Sequence, residues 1–195
     1  MQWLLIEDKA KDKILNSIMD WNLTLVEPKH PALHTKADID PFSIDVDWVV
    51  RESEMIKLMH DQFGIGLAAP QIGESIKLFV MNFDNNGPDI GIFNPEILEY
   101  SDETVSMEEG CLTFPALFFM VTRPTKIKVK FQTSNKEFVE DWLDGRDARC
   151  FQHEFEHLQG VIYLEHASEL KLQRAMKKRE KYIKQAIAYN NSQNV

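Results

Sequence analysis

The segment His153-Glu154-Phe155-Glu156-His157 constrains the fold of this chain more than any other, because it sets two imidazoles four residues apart with a carboxylate beside the first. Side chains at i and i+4 stand one above the other on a helix. A helix over Gln152 to Gln159 therefore lets His153 and His157 bind one metal ion, with Glu154 reaching a water on that ion as general base. The competing reading is a solvated turn of an amphipathic helix, and five residues alone do not choose between the two.

A second segment, Glu109-Gly110-Cys111-Leu112-Thr113, offers a thiol as a third ligand. Cys111 and Cys150 are the only cysteines, and Met1-Gln2-Trp3 opens into a charged stretch instead of a long apolar run, which argues for a cytosolic protein with reduced thiols. A free cysteine is most often a small buried hydrophobe, and Cys150 is read as packing on the face that carries His153. For Cys111 the neighbouring Gly110 argues against plain strand interior, since glycine there marks a bulge or a close approach. A third segment, Gly64-Ile65-Gly66-Leu67-Ala68-Ala69-Pro70-Gln71-Ile72-Gly73, has small residues that let backbone pass close to another group, and Gln71 offers an amide donor and acceptor. It lacks the Gly-Lys-Ser/Thr end of a phosphate loop and the glycine spacing of a dinucleotide fingerprint, so both are rejected.

With these segments in order, together with Phe93-Asn94-Pro95-Glu96 and Arg123-Pro124, the chain resembles the peptide deformylases from about Val26 to Tyr189. That resemblance implies removal of the formyl group from the N-terminal methionine of new polypeptides. It implies Cys111, His153 and His157 as metal ligands, with ferrous iron as the native ion and zinc, nickel or cobalt able to replace it. It also implies Glu154 as acid/base, and the Gln71 amide with the backbone N–H of Leu112 as an oxyanion hole. The chemistry is coherent: three protein ligands leave one position open, and donors aimed at the developing oxyanion stabilise the transition state more than the substrate. The methionine pocket is expected near the metal, with Gly64, Ile65, Gly66, Phe118 and Cys150 as substrate-binding residues. Glu109 is expected to pair with Arg123.

Three positions depart from the family pattern. Glu156 stands where aspartate is usual, Thr113 where serine is usual, and Phe118 at about the place of an arginine that holds the substrate backbone. Substrate grip is therefore expected to be apolar at that point. Two alternatives remain at this stage: a His-Glu-x-x-His zinc endopeptidase with His166 as its third ligand, and a catalytically impaired ribosome-associated module.

At 195 residues and 44% hydrophobic content the chain suits one α+β domain, with a mixed or antiparallel sheet packed around the metal-binding helix. Residues 1–24 are read as an extension, with Ile14, Leu15, Ile18 and Met19 on a short amphipathic helix, and 25–195 as the catalytic domain. No run reaches the roughly 20 apolar residues of a membrane span. A helix from about Asp45 to Asp61 is expected to bury Val46, Val49, Val50, Ile56, Met59 and Phe63. Strands are expected at Ile76 to Phe83, Ile90 to Glu99, about Ile127 to Phe131 and Phe138 to Leu143, with the motif helix from Gly145 to Leu158 stopped by Gly160. A last helix, about Ser168 to Tyr189, should pack Leu172, Met176, Ile183 and Ile187 on the domain. It carries net +5 in a chain of net −9. Its plain reading is a solvated helix; the functional one is a dock for ribosomal RNA, which the resemblance supports.

Overall fold

The structure, a computed structural model, describes residues 23–83 and 87–193. The expected helix around Ile14 to Met19 and the first half of the turn Asn85-Asn86-Gly87-Pro88 lie outside them. Helix α1, Trp48–Asp61, begins where the Asp47 carboxylate accepts hydrogen bonds from the N–H groups of Val49 and Val50, both at 3.2 Å. This N-cap satisfies two of the helix's unpaired donors and places the start three residues later than expected. The buried stripe is Trp48, Met55 and Met59, whereas Val49 and Phe63 are exposed. The expected face is thus wrong at Val46, Val49, Val50 and Phe63, because the stripe that meets the sheet runs through position 48 and its helical neighbours.

The strands are β1 (Gly66–Ala68), β2 (Leu78–Asn82), β3 (Asp89–Tyr100), β4 (Thr104–Cys111), β5 (Phe114–Pro124), β6 (Lys126–Gln132) and β7 (Phe138–Asp144). Five of them form an antiparallel sheet in the order β1-β2-β3-β6-β7, while β4 and β5 form a separate hairpin. Helix α2, Gly145–Leu158, and helix α3, Glu169–Gln193, follow. Gly160 takes φ +74 just beyond α2, which ends the helix as expected.

Period-two alternation on β2 explains the two cores. Phe79 and Met81 point to one side, where Ile92, Ile127, Val129 and Phe131 meet Phe151 of α2. Leu78 and Val80 point to the other, against Met55 and Met59 of α1. Phe151 is fully buried and sets its ring edge-on to Phe79 with centroids 5.0 Å apart; burial of such a side chain contributes about 1.5–3 kcal/mol. One face of α2 is thereby held against the sheet, and its other face is turned to the β4–β5 hairpin. A third cluster joins Leu117, Phe119 and Val121 of β5 to Tyr163 and Ala175. Helix α3 packs there through Leu172 and Ala175, and the expected stripe fails beyond Leu172: Met176, Ile183 and Ile187 stay exposed. Among the described residues no helix is long and apolar enough to cross a membrane.

Candidate metal centre and active site

Arg149, His153 and His157 repeat every four residues along α2, so they share the face opposite Phe151 and Phe155. That face meets the turn at the end of β4, where Cys111 sits. The Cys111 Sγ lies 3.3 Å from His157 Nε2, and the ligand atoms of Cys111, His153 and His157 all fall within 4.8 Å of one another. Donors around a tetrahedral ion stand about 3.5 Å apart, so one thiolate and two imidazoles in this arrangement fit a divalent metal. His153 donates from Nδ1 to Glu109 Oε2 at 3.0 Å, which leaves Nε2 as its ligand atom.

Glu109 is the hub behind the ligands. Arg123 grips it with Nε at 2.7 Å and Nη2 at 3.0 Å, and Arg149 Nη1 adds a bond at 2.8 Å. Burial alone would raise the Glu109 pKa, but the hydrogen bonds from His153 and Arg123 hold it far below the ordinary carboxylate range. The expected Glu109–Arg123 pair is present. Arg149 was not anticipated, although its place four residues before His153 was a legible signal. Burial would also lower the His153 pKa, yet bonding to Cys111 and Glu109 pushes it up to about 10. An ion held there by His153 would take the place of that proton, because a ligating imidazole is neutral. Burial and the charge of His153 hold the His157 pKa well below its ordinary value.

Glu154 is 4% exposed, and its Oε2 is buried with no hydrogen-bond partner among the described residues. Burial raises its pKa to about 7, against the opposing charge of His153. The backbone of Gly66 lies so close that a Cβ there would fall on Glu154 Oε1 and Cys150 Sγ, which accounts for a glycine at this position. Gln71 sits in the short turn Ala69–Ile72 with its amide orientation set from both ends. Its Oε1 accepts from Ala68 N at 2.8 Å, and its Nε2 donates to Thr113 Oγ1 at 3.2 Å and faces Cys111 Sγ at 3.4 Å.

A cleft of about 550 Å³ opens over these groups. Gln71, Cys111, Leu112, His153 and Glu154 line it together with Gly64, Ile65, Gly66, Phe118 and Cys150. His157 lies beneath, 1% exposed. Cys150 donates its thiol to Ile65 O at 3.3 Å, and burial, with the charge of Glu154, keeps that thiol well above its ordinary pKa. Glu156 does not enter the cleft. Its carboxylate bridges Arg123 and His166, an arrangement the sequence did not disclose.

Residues 23–173 match the family model described as polypeptide deformylase. The chain belongs to the peptide deformylase family. It is 50% identical over 117 residues to the peptide deformylase of Thermotoga maritima, covering 60% of this chain and 70% of that protein. Against the Phenylobacterium zucineum peptide deformylase it is 39% identical over 166 residues, covering 83% and 96%. The crystal structure of the Thermotoga maritima enzyme superposes with a TM-score of 0.69 at 41% identity, covering 75% of this chain and 97% of that one. A Synechococcus elongatus peptide deformylase in complex with actinonin gives 0.74 at 30% identity, covering 82% and 88%. This member of the family is a metal-dependent hydrolase with the expected α+β fold. The endopeptidase alternative is not favoured, since His166 turns its Nε2 to Glu156 at 2.9 Å and stands outside the Cys111, His153, His157 group.

Proposed function

We propose that this deformylase removes the N-formyl group from the initiating methionine of nascent polypeptides, with Cys111, His153 and His157 holding a divalent ion and Glu154 moving the protons. The observation that carries this reading is the Oε2 of Glu154, buried in the cleft without a hydrogen-bond partner among the described residues, next to three clustered ligand atoms. When bound, the ion supplies Lewis acidity that makes water nucleophilic near neutral pH. Ferrous iron is the native ion of this reading, with zinc, nickel or cobalt as substitutes.

Glu154 accepts a proton from the attacking water and returns one to the departing amine, so that formate and a free methionyl N-terminus leave. A raised pKa near 7 suits a group that must work in both directions. The charge that develops on the formyl oxygen is met by Gln71 Nε2 and the N–H of Leu112. The methionine side chain lies among Gly64, Ile65, Gly66, Phe118 and Cys150. The two free cysteines support a reducing, cytoplasmic setting. The cations Lys177, Lys181 and Lys184 of α3 support contact with ribosomal phosphate.

Incubation of the metal-loaded chain with formyl-Met-Ala-Ser and with the same peptide lacking the formyl group tests this reading. Formate release from the first and no cleavage of the second is expected. Internal cleavage of either peptide would mark an endopeptidase. Inertness toward both with metal bound would mark a non-catalytic module.

A further inference from the structure

On the other side of Phe118 from the metal centre, the β4–β5 hairpin and α3 enclose a groove of about 640 Å³. Ala116 and Phe118 line both this groove and the catalytic cleft. The Phe118 ring lies on the backbone of Gly110, where a Cβ would strike it, so the wall shared by the two cavities stands one residue from Cys111. The far wall is α3, with Lys178, Arg179, Lys181 and Tyr182 and no carboxylate among the described lining residues. It is tied to the hairpin by Arg179 Nε to Pro115 O at 2.8 Å and by Lys171 Nζ to Met120 O at 2.9 Å. Lys178 also reaches Glu108 at 3.3 Å, an exposed pair at the rim. Phe118 and Tyr182, 49% and 63% exposed, give the groove an aromatic lining between its cations.

We propose that this groove receives the part of a nascent chain a few residues beyond the formyl-methionine, and that it favours stretches bearing Asp or Glu. The proposal rests on the deformylase reading, which places methionine in the cleft. An extended chain advances about 3.3 Å per residue, so roughly two to three residues carry it across one phenylalanine ring. Downstream carboxylates then lie beside three cations on a chain that is otherwise acidic, at net −9 overall. The same cations would attract nucleic-acid phosphate. Continuity with the catalytic cleft, through the shared Ala116 and Phe118, favours peptide.

The test uses the full chain loaded with metal, formyl-methionyl nonapeptides with either Asp/Glu or Lys at positions four to seven, and formyl-Met-Ala-Ser as the short control. At low salt the acidic nonapeptide should show a kcat/KM about threefold to tenfold above the basic one, carried by KM and lost at high salt. The tripeptide should ignore salt, because it ends before the groove. The double variant Lys178→Gln/Lys181→Glu should lose or reverse the tail preference and leave the tripeptide unchanged. Equal KM for both tails, or a preference that survives in the variant, overturns the proposal. So does a single-stranded RNA oligomer whose binding the variant abolishes while the peptide preference persists. Loss of tripeptide turnover in the native chain would instead defeat the deformylase reading. Anisotropy of a fluorescein-labelled acidic nonapeptide would still report on the groove in that case.

Discussion

His166 Nε2 donates to Glu156 at 2.9 Å from Oε1 and 3.0 Å from Oε2, on a carboxylate that Arg123 also holds through Nη1 at 2.6 Å and Nη2 at 2.9 Å. Arg123 is doubly bonded to Glu109, and Glu109 orients His153. A continuous set of charge-assisted bonds therefore runs from His166 to a metal-ligand candidate. The glutamate side chain, one methylene longer than an aspartate, lets this carboxylate span Arg123 and His166.

Shortening that span should loosen the site. Glu156→Asp and His166→Ala are both expected to weaken metal retention about tenfold, at the lower end of the range for residues that orient ligands. The rate of metal loss to a chelator measures this. Retention equal to the native chain in both variants would make the bridge a surface decoration.

Cys111→Ala should abolish tight metal binding, since two imidazoles leave an ion under-coordinated. Elemental analysis after gel filtration reads the outcome directly. Full occupancy in that variant would refute the three-ligand assignment.

Chemistry and ligation should separate at the neighbouring positions. Glu154→Ala is expected to keep its metal and lose about 10² to 10⁴ in kcat. The change Gln71→Leu should cost about 10² to 10³ through the oxyanion contact. Native turnover in either metal-loaded variant would remove that residue from the mechanism.

Tyr163 gives a pH prediction for stability. Its hydroxyl donates to Leu117 O at 2.7 Å from a buried position, and burial, aided by the charge of Cys111, raises its pKa above 10. A raised folded-state pKa means the neutral form is favoured in the fold. This contribution is therefore complete below the unfolded value of about 10 and is lost as pH rises above it. Urea midpoints should fall more steeply above pH 10 in the native chain than in Tyr163→Phe, while near pH 7 that variant should be less stable by about 1 kcal/mol for the missing hydrogen bond. Parallel alkaline curves for the two proteins would show that Tyr163 does not titrate with unfolding.

The boundaries of α2 and the alternation of Ile127, Val129 and Phe131 on β6 were legible in the sequence, because periodicity is a property of a single segment. The three motifs likewise named Gln71, Cys111, Leu112, His153 and Glu154, which line the cleft, but not Met107 or Arg149, which line it too. The strand character of β4 and β5 was not legible: β4 is largely exposed, and glycine and proline interrupt the hairpin's pattern. Nor was the true face of α1, or how little of α3 is covered, since each depends on which surface the domain offers. The partners of Arg149, Glu156, His166 and Tyr163 were equally hidden. Sequence by itself determined which side chains share a helix face or a strand face, because that follows from local backbone geometry. Only the tertiary structure decided that Cys111 stands beside His157 and that Glu109 lies behind His153, because those pairings depend on the hairpin packing against α2, and no local pattern records contacts between segments distant in the chain.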